Sequence, residues 1–166
     1  MKKVYRMLFI LHLFVGIGAI AGGSMAILNP YTPGGMSTYA LNHSPFSNFL
    51  IPGIILFTVI GLGNLFSSMT FLFKSKYQGY ISSVFSWALV IWIVVQCIML
   101  RTIVYLHVIF FIIGIVQAFL SFTILFEKKL FPTNIILNII KKLEKKFPNS
   151  IIFKFMYNIK KRFYGV

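Results

Sequence analysis

Few side chains in this sequence could carry chemistry. The chain has three histidines, one cysteine and only two acidic residues, Glu127 and Glu144. His43, Cys97 and His107, with Arg101 beside them, offer a combination of groups that suits a soft divalent metal or Cu(I). No established ligand spacing is present and no carboxylate completes a site, so we predict neither a metal nor a cofactor.

The same residues could serve a membrane enzyme that uses His43 or His107, with His107 as a possible base for a serine or cysteine nucleophile. However, the chain contains no nucleophile motif and no glycine-rich phosphate loop that follows a strand. We therefore predict no catalytic residue, and a membrane enzyme at the outer face is the least favoured of three functional hypotheses.

The elements that must position these residues are membrane spans. Of the 166 residues, 58% are hydrophobic and 11% are charged, against about one quarter charged in ordinary soluble domains. The apolar residues form blocks of about 20, the length that crosses the hydrocarbon core as a helix. We predict an all-α bundle of four transmembrane helices in a domain 1–126, with spans at 7–28, 49–73, 79–100 and 102–126.

The basic residues predict the orientation of these spans. Fifteen of the sixteen lysines and arginines flank the spans on one side, and only Arg101 lies on the other. Lysine and arginine near span ends stay in the cytoplasm. We therefore expect a multi-pass protein of the cell membrane with both termini in the cytoplasm.

Small residues spaced by four predict close helix packing in lipid. Gly18 and Gly22 form such a stripe on the first span, and Gly63 and Gly114 contribute to similar pairs on the second and fourth. The first interpretation is a compact bundle within one chain, and the alternative is a dimerisation face on the first span.

Polar residues inside the spans are open to two interpretations. An amide in the bilayer usually forms a hydrogen bond with a neighbouring helix, and we favour this interpretation for Asn64. His12 lies near the inner interface, where a histidine either extends to the interface or packs through a hydrogen bond. Alternatively, the polar residues of the spans line a transport pathway, for which Asn64, Gln96, His107 and Gln117 are the candidates, although no span contains an interior Asp or Glu. The candidate polar site comprises His43, Asn64, Gln96, Arg101 and His107.

The outer loop 29–47 has no charged residue, and its turn signals include Asn29-Pro30 and Pro33-Gly34. We predict a short interfacial helix from Met36 to Leu41, and Ser44 and Ser47 as caps of the following helix. Long loops are often functional. The loop is therefore either a lid over the end of the bundle or a binding surface.

The tail 127–166 is predicted to form basic amphipathic helices on the cytoplasmic face, lying in the headgroup plane. Its isoleucine and aromatic content favours anionic lipid over nucleic acid as the partner. The predicted lipid-binding residues are Lys141, Lys142, Lys145, Lys146, Lys154, Lys160, Lys161 and Arg162.

The stretch HSPFSNFLIPGIILFTVIGLGNL at 43–65 and the stretch IWIVVQCIML at 91–100 resemble a widespread group of uncharacterised, small four-span bacterial membrane proteins. The resemblance covers about the first 126 residues, and the basic tail is an addition to it. It implies the four-span fold and the Ser-Pro-Phe sequence before the second span, and it implies no activity.

Taken together, these patterns favour a non-enzymatic accessory or interaction protein. We expect it to engage a membrane protein partner, a second copy of itself or anionic lipid through the outer loop and the tail. The alternative is a small transporter or channel subunit.

Overall fold

The structure, a computed structural model, describes residues 1–73 and 75–128, together with positions 130, 131, 135, 138, 139 and 142. The chain separates into two units, Met1–Ile124 and Leu125–Val166. The first unit contains three complete helices and most of a fourth. In the second unit, the Leu130 N–H donates to the Leu125 carbonyl oxygen over 3.0 Å.

Four long helices match the four predicted spans. Helix α1 comprises Lys2–Leu28, α2 comprises Leu50–Leu72, α3 comprises Gln78–Leu100 and α4 comprises Tyr105–Glu127. Each helix is long and apolar enough to cross a membrane, and the described residues include no strand. The all-helical class and the four candidate spans are thereby confirmed. Helix α1 begins at Lys2 rather than at the predicted Met7, because basic side chains near a helix end can extend to the interface without interrupting the helix.

The distribution of polar and apolar side chains is the reverse of that in a soluble protein. Large apolar side chains such as Phe14, Val84 and Phe119 are more than half exposed on the helix surfaces. Among the described residues, seven polar side chains inside the bundle are at most 1% exposed, namely His12, Asn64, Ser67, Ser82, Ser86, Gln117 and Ser121. Hydrocarbon outside the bundle explains both observations, because lipid solvates apolar side chains and gives polar ones no partner.

Helices α1 and α2 approach closely at small residues. A Cβ added at Gly23 would lie 2.7 Å from the Phe57 backbone nitrogen, and one at Gly16 would lie 2.7 Å from Leu65 Cδ2. The predicted stripe is looser, since a Cβ at Gly22 or Gly18 would meet its nearest neighbour at 3.4 or 3.5 Å. The tightest α1 contact therefore uses the face of Gly16 and Gly23.

The other two predicted packing glycines lie at tight contacts. A Cβ at Gly63 would overlap the ring of Phe85 on α3, and one at Gly114 would lie 2.8 Å from Val90 Cγ2. In each case the missing side chain lets α3 pack directly against its neighbour, as expected where packing holds helices together in lipid.

Helix α2 contains a π-helical segment, Leu56–Leu62. The Ile60 carbonyl oxygen in this segment accepts the Gly63 N–H, and it also accepts a hydrogen bond from the Asn64 amide over 2.8 Å. Segments of π-helix are rare and frequently occur at functional sites. Here the segment immediately precedes the most polar residue of α2.

The loop 29–49 closes one end of the first unit, which we call the loop end. Leu41 and Phe49 of the loop are buried against Ala26 of α1 and Met99 of α3. The Phe49 N–H donates to the Pro30 carbonyl oxygen over 2.9 Å and ties the two ends of the loop together. Within the loop, two 3₁₀ turns form at Pro33–Gly35 and Thr38–Leu41.

The beginning of α2 differs from the predicted cap. The helix starts at Leu50, and the Asn48 side chain accepts the Leu50 N–H over 3.0 Å. The Ser44 hydroxyl instead donates to the Leu41 carbonyl oxygen over 2.9 Å. Ser44 therefore stabilises the turn that buries Leu41, because it lies too far from the start of the helix to cap it.

Candidate functional site

One buried cluster of polar side chains brings all four helices together. It consists of His12 from α1, Asn64 from α2, Ser82 from α3 and Gln117 from α4, and we call it the His12 cluster. All four side chains have 0% exposure. His12 is at its centre, with Asn64 Oδ1 at 2.7 Å from Nδ1, Ser82 Oγ at 2.6 Å from Nε2, and Gln117 Nε2 at 3.3 Å from Nδ1.

The Asn64 amide fixes the directions of these hydrogen bonds. Because Nδ2 donates to Ile60, Oδ1 is the atom that faces His12. An amide oxygen only accepts, so His12 Nδ1 carries the proton. In a neutral imidazole Nε2 is then the acceptor, and the Ser82 hydroxyl donates to it. A single tautomer of His12 therefore satisfies both of the short contacts.

Gln117 is the least constrained member of the cluster. Its Nε2 lies opposite the proton on His12 Nδ1, so that two donors face each other, and its Oε1 has no hydrogen-bond partner among the described atoms. Turning the amide by half a rotation would place Oε1 against Nδ1–H. Gln117 thus contributes a weaker contact than Asn64 or Ser82.

Further polar side chains lie next to the cluster, one helical turn away along α3 and α4. One turn further along α3, the Ser86 hydroxyl donates to the Ser82 carbonyl oxygen over 2.6 Å. On α4, the Ser121 hydroxyl donates in the same way to the Gln117 carbonyl oxygen. The ring of Phe71 stacks on the His12 imidazole with centroids 6.2 Å apart. These neighbours satisfy hydroxyl groups locally and wall in the imidazole.

Ser82, His12 and Asn64 follow the order of hydroxyl, imidazole and orienting group that activates a serine in hydrolases. Catalysis also requires that a substrate carbonyl reach the hydroxyl oxygen. Ser82 and His12 are both fully buried, so the Ser82 hydroxyl is closed to a substrate in this conformation. The arrangement therefore acts as a hydrogen-bonded connection among α1, α2 and α3.

A second polar region lies at the loop end, between the last turns of α3 and the first turns of α4. There a groove of about 530 Å³ is open to the surroundings. We call it the loop-end groove. Its lining is mainly apolar, and Cys97, Arg101, Thr102 and His107 are the polar or reactive side chains in it. The apolar lining residues are Ile93, Val94, Ile98, Ile103, Val108 and Phe111.

Arg101 ends α3 in a left-handed conformation, with φ 46° and ψ 30°. This position of a helix cap is usually filled by glycine, because a side chain there costs roughly 1–2 kcal/mol. His107 has a local role at the start of α4, where its Nδ1 accepts the Val104 N–H over 3.4 Å. Because Nδ1 accepts, the proton of the neutral ring lies on Nε2.

The predicted polar positions fall into separate places. Arg101, His107 and Cys97 share the loop-end groove, whereas Asn64 belongs to the His12 cluster. His43 is exposed in the loop and Gln96 is half-buried on α3, and neither lines the groove. Within the part of the chain that the structure describes, no group of three or more His, Cys, Asp or Glu side chains is placed to hold a metal ion.

Most of the predicted lipid-binding residues lie outside the described residues. Lys142 is the exception, and it is exposed. The others are Lys141, Lys145, Lys146, Lys154, Lys160, Lys161 and Arg162.

The His12 cluster could not be recognised as a unit from the sequence. The residue types favour Asn64 as a hydrogen-bonding contact between helices, with a pathway role for Asn64 and Gln117 as the alternative, and they do not connect Ser82 with His12. A signal is nevertheless present, because polar residues recur at the spacing of one helical turn at Ser82/Ser86 and Gln117/Ser121. Two such polar stripes on otherwise apolar helices, together with His12 and Asn64, predict a shared interior contact.

Comparison of the chain with family models, curated proteins and solved structures gave no match.

Proposed function

We propose that this protein is a non-enzymatic interaction protein of the cell membrane, which binds a membrane protein partner through the loop 29–47 and anionic lipid through its basic tail. The observation that carries this proposal is the division of the loop into an anchored and an exposed side. Leu41 is 2% exposed, whereas Tyr31 and Tyr39 are 66% and 80% exposed. Because its buried residues hold the loop in place, the loop loses little conformational entropy when its exposed side chains bind a partner.

The chemistry of the exposed side agrees with a protein-binding role. Tyr31, Met36 and Tyr39 are all large side chains, of types that are enriched at protein interfaces. Tyrosine in particular offers a rigid apolar ring with a hydrogen-bonding group, as many binding hot spots do. A role as anchors in the headgroup region is the competing explanation for exposed tyrosines.

The interior of the bundle gives less support to a transport pathway. Two of the four candidate pathway groups, Asn64 and Gln117, are fully buried in the His12 cluster. Conduction through them would require the short contacts of His12 to break. Polar side chains that already form hydrogen bonds with one another favour a structural role. A transport pathway would require them to bind and release an ion or solute repeatedly.

We further propose that both termini lie in the cytoplasm, so that the loop end faces outward. The support is the charge distribution, since lysines and arginines concentrate at the ends opposite the loop. A membrane-impermeant maleimide tests this with single-cysteine variants in a Cys97→Ser background. Intact cells should label Tyr39→Cys and should leave Lys76→Cys unlabelled, and the reverse pattern would contradict the orientation.

A photo-crosslinking amino acid at Tyr31 or Tyr39 tests the partner. Both positions should give a protein adduct of defined mass in intact membranes. The matched control is Phe73, which is 82% exposed at the opposite end and should not give that adduct. If positions 31 and 39 give lipid adducts alone, the tyrosines are interfacial anchors and the partner proposal is wrong.

Changing Lys141, Lys142, Lys145 and Lys146 to glutamine tests the tail. Each basic residue near an anionic leaflet contributes about 1 kcal/mol, so the four changes should markedly reduce the anionic phospholipid that copurifies. Arginine at the same four positions preserves the charge and should preserve the enrichment. Equal lipid retention by the glutamine and arginine variants would contradict the role of charge.

A further inference from the structure

We infer that the loop-end groove binds one anionic phospholipid of the adjacent leaflet, with an acyl chain along the groove and the phosphate at Arg101. None of the residues that line the groove belongs to the loop 29–47 or to the tail 127–166, and the inference does not depend on the proposed function.

The length of the groove fits an acyl chain. It extends along α3 from Arg101 back to Ile93, roughly 12 Å at about 1.5 Å per residue. One leaflet of the hydrocarbon core is about 15 Å deep. The walls along this length include Ile93, Val94 and Ile98 on α3 and Val108 and Phe111 on α4. An acyl chain in the groove would therefore meet apolar side chains over most of one leaflet.

The polar end of the groove fits a phosphate. Arg101 supplies a guanidinium with a planar set of donors that match phosphate oxygens. The chain's two acidic residues are Glu127, the last residue of α4, and Glu144, and the groove lining includes neither of them to compete for Arg101. His107 Nε2–H and the Thr102 hydroxyl add neutral donors in the same lining.

The backbone at this end adds to the positive potential. Helix α4 begins at Tyr105, so its first N–H groups and the positive end of its dipole lie beside the groove. Arg101 occupies a left-handed position where glycine would be free of strain. The cap itself therefore does not require an arginine at this position.

The apolar walls and the Arg101 end of the groove together favour a phospholipid over a soluble anion. A free phosphate or nucleotide would use Arg101 and leave the apolar walls without a partner. A lipid without a phosphate would fill the walls and leave the guanidinium unpaired, and a zwitterionic phospholipid would bring an ammonium cation close to Arg101 together with its phosphate. Only an anionic amphiphile satisfies both, and in a membrane the abundant anionic amphiphile is a phospholipid.

The full-length protein in nanodiscs provides the test, with a photoactivatable acyl chain on phosphatidylglycerol or on phosphatidylcholine at equal fractions. Adducts should map to peptides that contain residues 93–111. Phosphatidylglycerol should give about fivefold more adduct than phosphatidylcholine, the factor expected for one basic contact near a membrane surface. Equal labelling by the two lipids would show general contact with bulk lipid and would overturn the inference.

Two variants separate binding from folding. Arg101→Gly suits the left-handed backbone, so the fold should persist while labelling by phosphatidylglycerol falls to the phosphatidylcholine level. Ile98→Trp retains Arg101 and fills an exposed part of the groove, so it should also reduce labelling. The matched control Arg6→Gln removes an arginine at the opposite end and should leave labelling of this segment unchanged.

Inorganic phosphate distinguishes the two possible sources of the anion. At millimolar concentration it should not compete with phosphatidylglycerol, because it makes no contact with the walls. Competition by phosphate would show a site for a soluble anion and would overturn the lipid assignment. Labelling that persists in Arg101→Gly at the phosphatidylglycerol level would overturn the role of the charge.

Discussion

Replacing His12 by leucine tests whether the His12 cluster holds the helices together. The change removes the partner of Asn64 Oδ1 and of the Ser82 hydroxyl, and both groups remain fully buried. Hydrogen bonds between membrane helices contribute about 0.6 kcal/mol on average, so the lost bonds alone amount to about 1 kcal/mol. An unsatisfied buried polar group costs about 1–3 kcal/mol more.

The two orphaned groups do not relax equally. Ser82 can turn its hydroxyl toward a carbonyl oxygen one turn earlier, as Ser86 and Ser121 already do. Asn64 Oδ1 has no such alternative, because Nδ2 is held by Ile60. The lost bonds, one full penalty and one partial penalty give an expected loss of about 2–5 kcal/mol in the free energy of unfolding.

Equilibrium unfolding in mixed micelles of a mild detergent and dodecyl sulfate, followed by circular dichroism, measures this loss. His43→Leu is the matched control, since His43 is exposed in the loop, and it should change stability by less than about 0.5 kcal/mol. The double variant His12→Leu with Asn64→Leu removes both partners of one bond. It should cost at least about 1 kcal/mol less than the sum of the single changes.

Two results would refute this reasoning. A His12→Leu variant no less stable than His43→Leu would show that the cluster contributes nothing net. Strictly additive costs for His12 and Asn64 would show that the two side chains do not act through a shared hydrogen bond.

Three further changes test the packing. Gly63→Ala should cost about 1–3 kcal/mol, because the new Cβ would overlap the Phe85 ring, while Gly18→Ala should be tolerated, and the same unfolding assay compares them. Gln117→Leu should destabilise the protein less than Asn64→Leu, since Gln117 Oε1 has no partner to lose, and an equal or larger cost would show a stronger contact. Leu41→Ala should loosen the loop by about 2 kcal/mol and speed hydrogen exchange at the Phe49 amide about thirtyfold, with no acceleration in the control Tyr39→Ala.

The four helices could be predicted from sequence because their signal is local. Blocks of about 20 apolar residues bounded by prolines, glycines and charges determine where a membrane helix can lie, without knowledge of its neighbours. The cap of α2 could not be predicted, because the local sequence allows more than one. Several residues before Leu50 can cap a helix, and burial of Phe49 and Leu41 selects the start that uses Asn48.

The rotation of each helix about its axis could not be predicted. Helix α1 carries two overlapping stripes of small residues spaced by four, one through Gly18 and Gly22 and one through Ala19 and Gly23, on the face of Gly16. Both satisfy the same packing rule. In the structure the tightest contacts of α1 use the second stripe. This rotation of α1 depends on how the other elements pack against it. The partners of His12 depend on the same rotations, which is why Ser82 was not connected with it.

The two polar regions differ in what they leave available for binding. In the His12 cluster three of the four side chains find short partners within the chain, at 2.6–2.8 Å, so their hydrogen-bonding capacity is largely used in joining helices. At the loop end Arg101 combines a permanent charge with a lining that contains no carboxylate. A guanidinium at the edge of hydrocarbon requires an anion or water. Because an apolar groove leads directly away from it, a phospholipid satisfies the charge and the groove at once, whereas water satisfies the charge alone.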